Sequence, residues 1–264
     1  MPKKETVTSL QQAKGKRKII MITAYDALFA SLFSESVDII LVGDSLNMSF
    51  NGEADTLSVT LNQMIYHTKA VCKGAPNSFV VCDMPFGSTN TKEEALTNAV
   101  KVFQQTGADA VKIEGGCNRA ELIKHLTNNA IAVMGHIGLL PQSVRSEGGY
   151  KVKGRDESSF EQVIEDAKAV EVAGAFAIVI EGVTPNLAAM VTQSVKIPVI
   201  GIGAGRATDG QVLVWSDMLG FFEDFKPKFV KRYLNGATLV KDAVKKYKEE
   251  VEKGVFPSQE HYYE

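Results

Sequence analysis

The chain has 264 residues, of which 45 % are hydrophobic and 23 % are charged, and this apolar content excludes an intrinsically disordered protein. Its 29 Lys and Arg residues nearly balance its 31 Asp and Glu residues. The formal net charge of −2 therefore excludes a protein that coats nucleic acid with basic charge. No apolar run approaches the ~20 residues that a membrane-spanning helix needs.

Eight short apolar runs follow one another along the chain, and amphipathic stretches separate them. Their β-branched content and their length of four to six residues predict strands that are buried on both faces, as in a parallel sheet. The runs cover residues 18–23, 38–43, 79–82, 110–113, 131–135, 176–180, 198–202 and 211–215.

The stretches between the runs predict helices. Thr91 and Glu94 have the spacing of a capping box at the start of one helix. Asn118 is predicted to cap a second helix, and Ser158 or Ser159 to begin a third. The predicted helices cover residues 27–36, 61–71, 95–103, 119–127, 158–173, 186–193 and 237–253.

This alternation of eight strands with helices predicts an α/β fold of the (β/α)8 barrel type. The alternative is a doubly wound sheet, which usually has fewer strands. Neither a repeat nor a linker marks a second domain. We therefore expect a single barrel domain over residues 1–264, with a short N-terminal helical segment and a C-terminal helix. Long loops over residues 139–157 and 219–235 interrupt the alternation of strands and helices, and the first loop is a candidate lid.

A barrel brings the carboxyl ends of its strands to one mouth, where barrel enzymes bind their substrates. In the predicted barrel these positions are polar or charged, and they are Asp44, Ser45, Asp83, Lys112, Glu114, His136 and Glu181. Such a concentration of acids and a histidine at strand ends is unusual for loops that only connect elements.

Three of these residues, Asp44, Asp83 and Glu114, are carboxylates on one rim. Like charges raise each other's pKa unless a cation lies between them, and hard oxygen donors suit Mg²⁺. The alternative is that each acid caps the helix after its strand, which is plausible for Asp44 alone. It is weaker for Asp83, because Met84-Pro85-Phe86 follows it.

The other rim residues predict acid–base chemistry. Alternation along a strand places Lys112 and Glu114 on the same face, where they either bind a substrate anion or form a structural ion pair. His136 is a candidate proton donor or hydrogen-bond donor to a substrate oxygen, or else a core histidine. Glu181 ends an apolar strand and is a candidate general base, with helix capping near Pro185 as its alternative.

The glycine-rich segment Gly201-Ile-Gly-Ala-Gly205 follows the seventh strand. It predicts a phosphate site, as is common in barrels, or only a tight backbone turn. The three cysteines form no C-x-x-C pair, and the first residues are polar, so we expect a reducing, cytoplasmic location.

Several segments together resemble one known family, that of ketopantoate hydroxymethyltransferase. The resemblance extends from about Thr6 to the tail that contains Pro257 and His261. The matching segments are Leu41-Val-Gly-Asp-Ser-Leu46, Lys112-Ile-Glu-Gly-Gly116, Gly135-His-Ile-Gly-Leu139 with Pro141-Gln-Ser143, Gly149-Tyr-Lys151 and Ile200-Gly-Ile-Gly-Ala-Gly205.

The resemblance implies a (β/α)8 TIM barrel of the phosphoenolpyruvate/pyruvate type that forms a homodecamer. It implies transfer of a hydroxymethyl group from the cosubstrate 5,10-methylenetetrahydrofolate to 3-methyl-2-oxobutanoate, giving 2-dehydropantoate in pantothenate biosynthesis. Neither nucleic acid nor membrane is an expected partner. By resemblance, the Mg²⁺ positions are Asp44, Asp83 and Glu114, the oxo-acid contacts are Asp44, Ser45, Asp83 and Lys112, and the proton acceptor is Glu181.

The expected mechanism is an enolate stabilised by Mg²⁺, with Glu181 as the base and the folate under the 139–157 loop. His136 either positions the enolate oxygen or assists in opening the folate adduct. One alternative is a Mg²⁺-dependent lyase or mutase that uses Cys117 as a reactive loop cysteine. Another is a non-catalytic barrel that binds a nucleotide or flavin phosphate at residues 201–205.

Overall fold

The computed structural model describes residues 4–223 and 226–263. Within them the chain divides into two compact units, the larger ending at Val214 and the smaller beginning at Trp215. The expectation of a single domain over residues 1–264 stays a prediction. In its described residues, the larger unit contains eight strands, which are β1 (Ile19–Thr23), β2 (Ile39–Val42), β3 (Phe79–Asp83), β4 (Ala110–Glu114), β5 (Val133–Gly138), β6 (Ala177–Glu181), β7 (Val199–Ile202) and β8 (Gly210–Leu213).

All the strand pairs of the larger unit are parallel, and their order in the sheet is their order in the sequence. Because β8 also pairs with β1, the sheet is closed, which confirms the (β/α)8 barrel and excludes the doubly wound alternative. The helices described in this unit are α1 (Val7–Ala13), α2 (Ala27–Phe33), α3 (Leu46–Ser49), α4 (Leu61–Gly74), α5 (Lys92–Gln105), α6 (Ala120–Asn128), α7 (Glu157–Val172) and α8 (Pro185–Ser194).

The smaller unit contains α9 (Trp215–Met218) and α10 (Gly236–Glu252) among its described residues. The rings of Trp215 and Phe221 meet edge to face at 5.3 Å, and those of Tyr247 and Phe256 at 5.6 Å. In the part of the chain that the structure describes, no helix combines the length and the apolar character needed to cross a membrane.

The interior of the barrel is apolar at the end where the strands begin. Leu10 and Ala13 of α1 belong to the same buried cluster as Ile19, Phe79 and other inward-facing strand residues. Lys14, directly after α1, donates from Nζ to Oδ2 of Asp209 at 2.7 Å, and Asp209 immediately precedes β8. Helix α1 therefore covers the amino end of the barrel.

Several helix starts differ from the sequence predictions. Helix α5 begins at Lys92, and the Thr91 hydroxyl caps it by accepting a hydrogen bond from the main-chain N–H of Glu94 at 3.1 Å, which is one half of the predicted capping box. Helix α7 begins at Glu157 and not at Ser158 or Ser159. Its cap is Asp156, whose side-chain carboxylate accepts a hydrogen bond from the main-chain N–H of Ser159 at 2.9 Å. Asn118 does not cap α6, since it lies inside a short 3₁₀ turn.

Strand β5 is displaced relative to its prediction, which ended the strand at Gly135. The strand continues to Gly138, so His136 lies within it. Gly135 is required for packing, because a β-carbon there would come within 2.4 Å of the Val170 side chain of α7. A glycine inside a strand can mark the close approach of a helix, as here, or the end of the strand. The local sequence does not distinguish these two cases.

Candidate active site

The carboxyl ends of five consecutive strands, β2 to β6, deliver the residues of the candidate site. Parallel pairing sets neighbouring strands level with each other, with Asp83 opposite Lys112 and Glu114 opposite His136. Side chains two positions apart share a face, so Lys112 follows the inward-facing Ala110 into the barrel. The strands therefore bring together the charged side chains that the sequence placed at strand ends.

Lys112 lies at the centre of this group, and its side chain is only 4 % exposed. Its Nζ is 3.3 Å from Oδ1 of Asp83, 3.9 Å from Oε1 of Glu114 and 2.9 Å from Nδ1 of His136. Burial alone lowers the pKa of the Lys112 ammonium, but the carboxylates of Asp83 and Glu114 raise it above its usual range. Lys112 is therefore a fixed positive charge inside the barrel.

His136 connects Lys112 to Glu181. Burial and the charge of Lys112 lower the pKa of His136, but Glu114 and Glu181 raise it more, to about 9. The neutral ring accepts the Lys112 hydrogen bond at Nδ1 and so carries its proton at Nε2, and the imidazolium carries one there too. In both states the Nε2–H lies next to Glu181, whose Oε2 is 3.3 Å from Nε2.

Glu181 is the most accessible carboxylate of the group. Its side chain is 21 % exposed, whereas that of Glu114 is 5 % exposed. Helix α8 is capped at Thr184 without a side-chain hydrogen bond, so Glu181 does not serve as its cap. An accessible carboxylate beside a protonated ring nitrogen is suited to receiving a proton from a bound substrate.

Asp44 and Asp83 are both buried, and they lie close together. The main-chain N–H of Asp44 donates to Oδ2 of Asp83 at 3.1 Å. Burial raises the pKa of Asp44, and the nearby charges of Asp83 and Glu114 raise it further. Burial also raises the pKa of Asp83, although Lys112 and the Asp44 N–H act in the opposite direction. Ionisation of both aspartates would therefore leave more negative charge than Lys112 balances.

This excess of negative charge is suited to a divalent cation. Oδ1 of Asp83 and Oε1 of Glu114 are buried and accept no hydrogen bond in the described residues, and such orphaned oxygens are candidate ligands. Asp44, Asp83 and Glu114 offer only hard oxygen donors, which Mg²⁺ prefers. Within the same residues, however, no three His, Cys, Asp or Glu side chains are already arranged around a metal position.

Glu114 contacts the loop after β5 and the ring of His136. Its Oε2 accepts a hydrogen bond from the main-chain N–H of Gln142 at 3.0 Å, and its Oε1 is 3.4 Å from Nδ1 of His136. Burial raises the pKa of Glu114, but His136 and Lys112 lower it below its usual range. Glu114 is therefore fixed in place through Oε2, while its buried Oε1 accepts no hydrogen bond in the described residues.

Ser45 is positioned by a tyrosine that the sequence analysis did not select. The Ser45 Oγ is 2.8 Å from the hydroxyl of Tyr25, which follows β1 and is completely buried. Ser45 precedes α3 without making a side-chain cap, and Asp44 makes none either. The helix-capping alternative for Asp44 is therefore wrong.

Gln142 is the functional candidate that sequence reasoning missed. Its side-chain Nε2 donates to Oδ2 of Asp44 at 2.8 Å and to the carbonyl oxygen of Met84 at 3.0 Å. Its only signal in the sequence is its place in the long loop after the fifth strand, in a segment that carries the family resemblance.

The remaining candidates have structural explanations. A β-carbon at Gly201 would come within 2.9 Å of Thr208, and Gly205 has a φ of +79°, so both glycines are needed for the backbone path. Cys117 is an exposed residue. Partial desolvation of its sulfur and the nearby carboxylate of Asp166 both raise the pKa of its thiol. A thiol with a raised pKa is a poor nucleophile, which disfavours the interpretation as a lyase with a reactive cysteine.

Comparison with known proteins assigns the family. The sequence model described as ketopantoate hydroxymethyltransferase matches residues 4–259. The chain belongs to this family. The 3-methyl-2-oxobutanoate hydroxymethyltransferase of Sulfurimonas denitrificans is 64 % identical over 263 residues, covering 100 % of both chains. That of Helicobacter pylori strain HPAG1 is 55 % identical over 257 residues, covering 97 % of this chain and 95 % of its own.

Solved structures show that the fold of the ketopantoate hydroxymethyltransferase family recurs in distant proteins. A phosphonopyruvate hydrolase, solved with oxalate and Mg²⁺, has a TM-score of 0.63 at 13 % identity, with 98 % of this chain and 92 % of that chain covered. A 2,3-dimethylmalate lyase of the PEP mutase/isocitrate lyase superfamily has a TM-score of 0.60 at 18 % identity, with 99 % and 92 % covered. The likeness to these structures is one of fold, the (β/α)8 barrel.

Proposed function

We propose that this protein transfers a hydroxymethyl group from 5,10-methylenetetrahydrofolate to 3-methyl-2-oxobutanoate, forming 2-dehydropantoate on the route to pantothenate and coenzyme A. The observation that carries the proposal is the identity of 64 % over the full chain to a relative named for this hydroxymethyltransferase. The buried charges around Lys112 support it, because they suit a small anionic substrate.

Mg²⁺ is the proposed cofactor, with Asp44 and Asp83 as its ligands and Glu114 as a third ligand, directly or through water. When bound, the ion would neutralise charge on the keto and carboxylate oxygens of the substrate and so acidify its C3–H. The buried oxygens of Asp83 and Glu114 that accept no hydrogen bond in the described residues support this assignment.

Lys112 and Ser45 are the proposed contacts to the ketoacid carboxylate. The Lys112 ammonium is held between the carboxylates of Asp83 and Glu114, at 3.3 and 3.9 Å, so it supplies a positive charge without reorganisation. The Ser45 hydroxyl is fixed by the Tyr25 hydroxyl at 2.8 Å, and when Tyr25 donates in this contact, the Ser45 hydrogen is available to an anion. Together these residues hold the substrate with its C3 hydrogen accessible to a base.

Glu181 is the proposed base that removes the C3 proton. His136 Nε2 lies 3.3 Å from Oε2 of Glu181, and its hydrogen is available for donation to the enolate oxygen. In the overall reaction, a C–C bond forms between C3 and the folate methylene carbon, and both C–N bonds of that methylene break. Water supplies the hydroxyl group and one proton, and the C3 proton goes to the second folate nitrogen.

The cosubstrate and the assembly are also part of the proposal. We place the folate across the mouth, under the 139–157 loop, whose Gln142 contacts the carboxylates of the site. A homodecamer, a cytoplasmic location and the lack of nucleic-acid or membrane partners are proposed from the family resemblance and the balanced charge.

An assay for tetrahydrofolate tests this function. Purified protein is incubated with 5,10-methylenetetrahydrofolate and Mg²⁺, with and without 3-methyl-2-oxobutanoate, and with EDTA in a third arm. We expect tetrahydrofolate only when the ketoacid and the metal are both present, together with an equal amount of 2-dehydropantoate. Tetrahydrofolate formation that is independent of the ketoacid, or no formation at all, would contradict the proposal.

A further inference from the structure

Gln142 joins three segments of the barrel mouth through a single residue. Its side-chain amide donates both hydrogens, one to Oδ2 of Asp44 at 2.8 Å and one to the carbonyl oxygen of Met84 at 3.0 Å. Its main-chain N–H donates to Oε2 of Glu114 at 3.0 Å. Asp44 after β2, Met84 after β3 and Glu114 at the end of β4 are thus tied to the start of the long loop after β5.

These contacts constrain the orientation of the Asp44 carboxylate. The carbonyl of Met84 is always an acceptor, so it fixes the carboxamide of Gln142 with its NH₂ group towards Asp44. The NH₂ group can only donate, so Oδ2 of Asp44 must accept this hydrogen bond, which restricts the rotation of the carboxylate.

The loop has other anchors that do not involve Asp44. The guanidinium of Arg145 donates twice to Oδ2 of Asp55, at 2.9 and 3.0 Å. The N–H of Lys153 donates to the carbonyl oxygen of Gly182 at 2.9 Å. The side chain of Gln142 is therefore not needed merely to keep the loop at the mouth.

We infer that Gln142 is a positioning residue, whose carboxamide holds the Asp44 carboxylate in the orientation needed for the cation and the ketoacid. The inference rests on the proposed function, in which Asp44 binds both. Hydrogen-bond partners of metal ligands typically contribute 10- to 100-fold to metal affinity. We expect an effect of this size from one side chain that touches neither the substrate nor the metal.

The test compares Mn²⁺ binding and steady-state kinetics in four forms of the full-length protein: wild type, Gln142→Met, Gln142→Glu and Arg145→Met. Methionine keeps the length of the side chain but removes both donors. Glutamate is nearest to glutamine in shape but places an acceptor opposite Asp44. Arg145→Met breaks a loop anchor and leaves Asp44 untouched. Mn²⁺ affinity is measured by electron paramagnetic resonance without substrate.

We expect Gln142→Met to weaken Mn²⁺ binding by about 10-fold and Gln142→Glu by more, with unchanged melting temperatures. We also expect a higher KM for the ketoacid, with a smaller change in kcat. If Gln142 acted only through the shape of its side chain, the order of Mn²⁺ affinities would be reversed, and Gln142→Glu would bind Mn²⁺ more tightly than Gln142→Met. That order, Mn²⁺ binding within twofold of wild type in Gln142→Met, or an equal loss in Arg145→Met would overturn the inference.

Failure of the proposed function would look different. In that case the wild type itself would form no ketoacid-dependent tetrahydrofolate, whatever the order of Mn²⁺ affinities among the variants. An active wild type with unaffected Gln142 variants would instead leave the function intact and remove only the role of Gln142.

Discussion

The two ends of the barrel interior are built from opposite kinds of residue. At the amino end, Leu10 of α1 closes an apolar cluster, and the rings of Phe79 and Phe176 meet at 5.6 Å. At the carboxyl end, the side chains of Asp83 and Lys112 are each only 4 % exposed, although both are ionisable. Along β3 the inward-facing residues change from Phe79 to Asp83 over four positions, about 13 Å at the usual rise of a strand.

This difference separates residues that stabilise the fold from residues that are retained for chemistry. Burial of apolar side chains at the amino end stabilises the folded state at roughly 25 cal/mol for each Å² removed from water. Burial of several carboxylates around one lysine destabilises it unless the geometry is excellent or a further cation is bound. The buried charged residues at the carboxyl end therefore form a site but lower the stability of the fold.

The largest effect is expected from Asp83→Asn, which removes charge from the carboxyl end with little change in shape. Loss of a proposed metal ligand removes several kcal/mol of charge stabilisation, so turnover with Mg²⁺ is expected to fall about 10³-fold. Steady-state assays over a range of Mg²⁺ concentrations measure it. Turnover within tenfold of the wild type would mean that Asp83 is not a metal ligand.

The next effect is expected from Glu181→Gln, which removes the proposed base. Exchange of the C3 hydrogen of 3-methyl-2-oxobutanoate with solvent, followed by NMR with Mg²⁺ and without folate, is expected to slow by about 10²- to 10⁴-fold. Glu121→Gln, an exposed carboxylate on α6, is the matched control and is expected to exchange like the wild type. Full exchange in Glu181→Gln would assign the base to another group.

Leu10→Ala tests the amino end. This completely buried residue is expected to lose about 2 to 5 kcal/mol of unfolding free energy because a cavity remains, while kcat stays within twofold of the wild type. The urea midpoint and the tetrahydrofolate assay measure the two quantities. Leu28→Ala is the matched control, since Leu28 is 69 % exposed and should change stability by less than about 0.5 kcal/mol. If Leu10→Ala lost kcat but not stability, the amino end would serve catalysis and the proposed difference between the two ends would be wrong.

The smallest effect is expected from Tyr25→Phe, a buried but uncharged position behind Ser45. Burial raises the pKa of Tyr25 from 10.0 to about 12, so the unfolded chain ionises this phenol at a lower pH than the folded chain. The wild type therefore loses stability as the pH rises above 10, by about 1 kcal/mol at pH 11, and Tyr25→Phe lacks this contribution. Urea midpoints at pH 8 to 11 measure the difference in slope. Parallel curves for the two proteins would contradict the pKa shift.

Much of the site could be predicted because a barrel converts a strand position into a place in space. Asp83, Lys112, Glu114 and His136 were found from their positions at or near strand ends, and side-chain alternation predicted that Lys112 and Glu114 share a face. The metal assignment stays a prediction, because ligand distances depend on how several side chains compete for Lys112 and for each other.

The sequence by itself determined the eight strands, the barrel class and the rim residues, because hydrophobic period and composition are local properties that parallel strands translate directly into burial. Tertiary structure alone decided which partners those residues have. Gln142 reaches Asp44 across 98 positions, and Tyr25 reaches Ser45 across 20. Such contacts depend on the path of a loop and on the packing of helices outside the barrel, and no short-range pattern encodes either of them.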